Sequence, residues 1–132
     1  MLYDRDCGFC RWSLAHLLEF DRRLRLRPVA LQDPEAEELL RGMGAERRYG
    51  SAHLVTADGK VYSGGAVVAP LLDVLLAGAP LSYAARLLTG PLSLGYDLVA
   101  RNRKLLGRPL SAQAKVRALE RIDRHGVPQR AR

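Results

Sequence analysis

The spacing of hydrophobic positions changes period several times along the chain. Leu2-Tyr3 is a short apolar segment ending at Asp4, and it predicts a brief first strand. From Cys7 onward Phe9, Trp12, Leu14, Ala15, Leu17, Leu18 and Phe20 recur with helical spacing, while Arg11, His16 and Glu19 fall off that face. Leu24 and Leu26 then alternate with Arg25 and Arg27, which predicts a strand over 24–31 with one wet face. Pro28 assigns that strand an edge position or a bend. Asp33-Pro34-Glu35 has the chemistry of a helix start, and the helix it opens runs to about Arg41 before Gly42 or Gly44 stops it. The β-prone runs 52–56 and 60–63 flank Asp58-Gly59, a hairpin turn signal, because glycine tolerates the positive φ such turns need. Gly64-Gly65 closes the hairpin and releases the chain into a helix over 66–76. Pro80 and Pro91 punctuate two further helical stretches, the second over 92–106. After Gly107 a last helix over 111–124 carries Val116, Leu119 and Ile122 along one side, and 126–132 reads as a frayed tail.

The resulting order is β-α-β-α-β-β-α followed by additional C-terminal helices. Helix–strand alternation and a later antiparallel hairpin fit an α/β fold with a helix-covered mixed sheet. This is also the minimal thioredoxin-like order, with a short first strand. No internal repeat or low-complexity segment interrupts it.

Composition changes this picture in one respect. With 132 residues, 48% hydrophobic and 27% charged, the chain has the balance of one globular domain. Its net charge of +7 invites a nucleic-acid reading. However, residues 1–100 hold 11 basic and 12 acidic side chains, whereas residues 101–132 hold 10 basic and 2 acidic. A near-neutral body suits a domain that meets thiols rather than phosphates, so charge and chemistry read as separable. The opening residues carry no apolar leader, and 66–79 is too short and too interrupted to span a bilayer, so a cytoplasmic location is expected.

The only two cysteines, Cys7 and Cys10, stand three positions apart and cannot scaffold a chain this long. Their placement at the start of the first helix suits thiol chemistry. Unpaired N–H groups and the positive helix end stabilise a thiolate on Cys7, and Cys10 lies about one turn later, within reach of it. Gly8 admits a close partner chain and Phe9 adds apolar cover. Asp4 and Asp6 are nearby carboxylates. Either would raise the Cys7 pKa or shuttle a proton to Cys10, and Asp6 reads foremost as the helix cap. The expected cycle is attack by Cys7 on a disulfide and resolution by Cys10, with no cofactor. A structural zinc site wants a second ligand pair, and His16, His53 and His125 are scattered, so no metal is expected. His16 is expected on the helix surface and Trp12 at the core or its rim.

Tyr3-Asp4-x-Asp6-Cys7-Gly8-x-Cys10 resembles the opening signature of the DCC family of thiol–disulfide oxidoreductases, the DUF393 domain. The resemblance continues through Val29-Ala30-Leu31-Gln32, returns at Asp58-Gly59-x-Val61-Tyr62-x-Gly64 with Ala66, and ends at Tyr96-Asp97-Leu-Val-Ala-Arg-Asn102-Arg103. It covers about residues 1–106 and implies a thioredoxin-like domain there, leaving 107–132 as a basic helical extension. It also implies that Asp4, Asp6, Cys7 and Cys10 form the redox site. Three departures stand out. Arg5 replaces the usual glycine and would favour a Cys7 thiolate if its side chain turned that way. Tyr49-Gly50-Ser51 lies where thioredoxins place a cis-proline before the hairpin. The chain also begins almost at the motif, so its first strand is shorter than the family shows, as a start upstream of Met1 would leave it.

Asn102-Arg103 reads as helix surface pairing with the body rather than as a group reaching the redox site. The basic extension is expected to be solvated or docked. It lacks aromatic residues for base stacking and the wide apolar face of a membrane-lying helix, so no specific nucleic acid is expected. The implied partners are a protein or small-molecule thiol or disulfide substrate and an electron donor. The alternative class is a non-catalytic binding module that engages a protein, an anionic membrane or nucleic acid through the basic C-terminal helix.

Overall fold

In the computed structural model, which describes residues 1–76, 84 and 87–126, four short strands form one mixed sheet. β1 is Leu2–Tyr3, β2 Val29–Ala30, β3 His53–Val55 and β4 Val61–Ser63, in the spatial order β2-β1-β3-β4. β1 pairs parallel with β2 (Leu2 opposite Val29) and antiparallel with β3 (Leu2 opposite His53), and β3 pairs antiparallel with β4. The helices are α1 (Gly8–Phe20), α2 (Pro34–Leu39), α3 (Ala45–Gly50), α4 (Val68–Leu76), α5 (Thr89–Leu106) and α6 (Ala112–Gly126). A 3₁₀ turn over Gly64–Val67 links β4 to α4. This mixed α/β arrangement is compatible with a thioredoxin-like fold.

The two faces of the sheet bury different residues because successive strand side chains point to opposite sides. Tyr3 and Ala30 face one core, with Leu14 and Leu18 of α1, Leu54, Val67 and Ile122 of α6. Leu2, Val29 and Leu31 face the other, against Ala36 and Leu40. Among the described residues no helix is long and apolar enough to cross a membrane.

The second strand is shorter than its alternating pattern predicts. Leu24 adopts a positive φ of 50°, and the Asp21 carboxylate accepts the backbone N–H groups of Arg25 and Leu26 at 3.0 and 2.7 Å. A buried side chain thus takes donors that a sheet ladder would have used, and only Leu26 of the Leu24–Leu26 pair is buried. α3 is an element the pattern did not predict, as none of its residues is buried. α5 begins at Thr89, earlier than expected, and takes Pro91 into its first turn, where a missing N–H costs nothing. The helical stretch between Pro80 and Pro91 falls largely outside the described residues, and the tail over 127–132 does so entirely.

The basic extension is docked. Among the described residues α6 has its most extensive packing against α1. Ala118 and Ile122 are buried there, whereas Val116, expected on the docking stripe, is exposed. Arg121 pairs with Glu19 of α1, and His125 Nε2 lies 3.5 Å from the buried Asp21 carboxylate.

Candidate active site

The β1–α1 connection is a tight turn tied at several points. Cys7 N–H donates to Asp4 C=O at 3.3 Å, and Asp6 N–H donates to Asp4 Oδ1 at 3.0 Å. Asp4 therefore closes the turn through both its backbone and its side chain. Gln32, just past β2, fixes this turn from outside. Its Nε2 donates to Asp4 Oδ1 at 2.8 Å and to Asp6 Oδ2 at 3.3 Å, and its Oε1 accepts from Arg5 N–H at 3.1 Å. Gln32 belongs to the quoted Val29–Gln32 motif, but nothing in its spacing from the cysteines signals this bridge.

Cys7, not Asp6, is the N-cap of α1. Its Sγ accepts the Cys10 N–H at 3.2 Å. The capping role expected of Asp6 is thus replaced by a bond to Gln32. Arg5 turns away from the cysteines and pairs with Asp33, so it is not the cation that supports Cys7.

That cation is Arg103. Hydrogen bonding from the Cys10 side chain, aided by the Cys10 amide and the positive charge of Arg103, lowers the Cys7 pKa from 9.0 to about 6, against burial and the Asp4 charge. Cys10 shifts upward, because its thiol donates to Cys7 and is buried more deeply. The two thiols are free and half-buried, and their protonation states are pushed apart.

Arg103 corrects a second expectation. Its Nη2 donates to Tyr49 C=O at 2.9 Å, and its side chain borders the cavities on both sides of the cysteine pair. It makes no ion pair among the described residues. Asn102 bonds Leu98 C=O within its own helix, as a surface reading implies. Tyr96 sits two helical turns before Arg103, on the same face of α5, and its hydroxyl accepts the Ala52 N–H at 2.7 Å. The signal that could have found this pair was that seven-residue spacing.

Gly65 lets α5 come this close. A Cβ there would lie 2.3 Å from Ser93 Cα, so only glycine permits the crossing. Ser51 and Ala52 occupy the segment before β3 where a cis-proline was missed, and both line the cavity beside Cys10. Ala52 is anchored there by its bond to Tyr96 and by accepting Gly64 N–H at 3.1 Å.

Two cavities flank the pair. On the Cys10 side lies a largely apolar one of about 250 Å³, bordered by Phe9, Leu14, Val67, Leu71 and Val99, with Asp4 and Arg103 at its polar edge. On the Cys7 side lies an open recess of about 410 Å³, bordered by Asp4, Asp6, Arg103, Lys104, Arg108 and Lys115. Four of the ten cations of the C-terminal quarter thus border the recess at the thiol, so charge and chemistry are not fully separate as the sequence suggested.

Gly8 admits the side chain of Lys115, whose Cε lies 3.4 Å from where its Cβ would be. Phe9 borders both cavities and stacks on Trp12 with ring centroids 6.0 Å apart. His16 is exposed against Trp12 and bonds its carbonyl. His53 is buried between Ser63 Oγ and Arg48 C=O. Among the described residues no three metal-ligating side chains converge.

No curated protein and no solved structure matches the chain. The family model for DCC1-like thiol–disulfide oxidoreductases matches residues 1–109, from β1 through the end of α5 and so including both cysteines, Asp4, Gln32, Tyr96 and Arg103. The chain therefore belongs to the DCC1-like thiol–disulfide oxidoreductase family.

Proposed function

We propose that the protein is a thioredoxin-like thiol–disulfide oxidoreductase in which Cys7 is the nucleophile and Cys10 the resolving thiol. The observation that carries this reading is the 3.2 Å bond from Cys10 N–H to Cys7 Sγ at the N-cap of α1. It places the sulfur among the free amides of a helix start, where a thiolate is stabilised. The β2-β1-β3-β4 order, with one parallel and two antiparallel pairings, supports the fold assignment.

In the proposed cycle the Cys7 thiolate attacks one sulfur of a substrate disulfide. The substrate S–S bond breaks, the Cys7–substrate S–S bond forms, and the first substrate thiolate leaves with the electron pair. Cys10 then loses its proton to Asp4, which borders the same cavity, and attacks Cys7 Sγ. The second substrate thiolate departs, leaving the substrate reduced by two electrons and Cys7–Cys10 oxidised. An external dithiol restores the pair, and the same steps in reverse oxidise a substrate dithiol.

Trapping tests the assignment. Cys10→Ser should accumulate a mixed disulfide on Cys7, seen as added mass on the peptide that contains it, and Cys7→Ser should abolish reduction of a model disulfide. Turnover by Cys7→Ser at the wild-type rate would exclude this function.

A further inference from the structure

We infer that the recess at Cys7 selects small anionic disulfides and thiols whose carboxylates lie close to the sulfur. This deepens, and rests on, the reading of Cys7 as nucleophile. Four cations from three parts of the chain border the recess: Arg103 and Lys104 from the last turn of α5, Arg108 from the loop after it, and Lys115 from α6. None of the four has an ion-pair partner among the described residues. Two acids border the recess as well, Asp4, which accepts from Gln32 and the Asp6 amide, and Asp6, which accepts from Gln32; these donors are neutral amides. Four cations against two carboxylates leave the recess with a net positive charge on the open side of the thiol.

Its position is built rather than incidental. Gly107 eases the close approach of the α5–α6 loop to α1, since a Cβ there would sit tightly, 3.3 Å from Arg103 O and 3.4 Å from Phe9 N. The Lys115 side chain lies over Gly8, its Cε 3.4 Å from where a Cβ would stand. At about 410 Å³ the recess has the size of a small-molecule site. Net charge of one sign around a reaction centre raises the local concentration of an oppositely charged reactant. A disulfide bearing two carboxylates is thus drawn to the Cys7 sulfur, and a dicationic one is repelled. The exchange itself follows the steps given above, with a reducing thiol closing the cycle.

Alkylation reads the recess directly. Iodoacetate and iodoacetamide are nearly the same size and differ by one negative charge. The ratio of their rates on the reduced protein at pH 8, divided by the same ratio for N-acetylcysteine amide, isolates the field at Cys7. On the scale of electrostatic rate enhancements, this normalised ratio should be about tenfold above one in 10 mM salt. It should fall towards one in 1 M KCl, where screening acts over ~3 Å. A triple variant, Lys104→Gln with Arg108→Gln and Lys115→Gln, should lose most of it, and the single variant of the exposed Arg108 should lose part. In the exchange assay, 3,3′-dithiodipropionate should outrun cystamine, each rate being referenced to dithiothreitol.

A normalised ratio of one in the wild type at low salt would overturn the inference, as would a high ratio that survives 1 M KCl. Neither outcome touches the Cys7–Cys10 cycle, which is judged by the trapped mixed disulfide. An anion-favouring ratio in a protein that forms no mixed disulfide would instead remove the redox reading and leave the recess as an anion site.

Discussion

Cys7 occupies a helix cap, but the causes of its lowered pKa lie on two helices, α1 and α5. The largest is the hydrogen bond from the Cys10 side chain, followed among the favourable ones by the Cys10 amide and then by Arg103 on α5. Removing a favourable contribution raises the pKa, and removing Asp4, which acts against the thiolate, lowers it. The rate of iodoacetamide alkylation against pH should therefore show a midpoint near the lowered value of about 6. Cys10→Ala should move that midpoint up the most, towards the ordinary thiol value, and Arg103→Gln should move it up by less. Asp4→Asn keeps an oxygen for Gln32 and should move it down. Identical midpoints in all four proteins would show that the thiol is set by the helix end alone. The Cys pair and Asp4 were readable in the sequence as a candidate site, because they fall within one turn. Gln32 and Arg103 lie 22 and 93 positions from Cys10, and their roles depend on which side of the sheet and which helix turn they face.

At the scale of elements, the site depends on two helix contacts that do not involve the cysteines. Gly65→Ala would drive a methyl group into the backbone of α5 at Ser93, displacing the helix that carries Tyr96 and Arg103. Overpacking of this kind costs about 1–3 kcal/mol, and the variant should show both a lower urea midpoint and a higher Cys7 alkylation pKa. Unchanged alkylation would mean that α5 does not set the thiol. Ile122→Ala opens a hole where α6 meets the Tyr3, Leu14 and Leu18 core and should cost about 2–5 kcal/mol in urea denaturation. Several of these elements were readable in advance. α1 follows from its apolar spacing. The hairpin follows from Asp58-Gly59, where Gly59 has φ 81° and Gly59 N–H donates to Thr56 C=O at 2.9 Å. The strand expected over 24–31 shrank to two residues because Asp21, a buried carboxylate, competes for its amides. α3 left no apolar period to read, yet its Arg48 carbonyl holds the buried His53. The docking of α6 was one of the expectations, but its buried residues are Ala118 and Ile122 rather than a stripe that includes Val116.

For the whole molecule, opposed thiol shifts make stability depend on redox state and pH together. Cys7 is depressed from 9.0 to about 6 in the folded reduced protein, so the unfolded chain binds more protons at Cys7 between those values. Its contribution to stability is fully present above pH 9 and is lost as pH falls through about 6. Cys10 is raised, so its contribution is fully present below its unfolded value of 9.0 and declines as pH rises beyond it. Reduced protein should therefore gain stability relative to oxidised protein from pH 6 to 9 and lose it again above 9. The oxidised form holds neither thiol, and the remaining titrating groups are shared by both forms, so the difference between their urea unfolding free energies isolates the pair. A thiolate that stabilises the reduced fold also biases the pair towards accepting electrons, which raises its reduction potential. The same protein equilibrated against glutathione buffers should accordingly show a potential that becomes less negative, relative to an unperturbed dithiol, as pH rises from 6 towards 9. A stability difference that stays flat across that interval would mean that Cys7 and Cys10 do not titrate as an opposed pair. The chemistry assigned to them would then lose its physical basis.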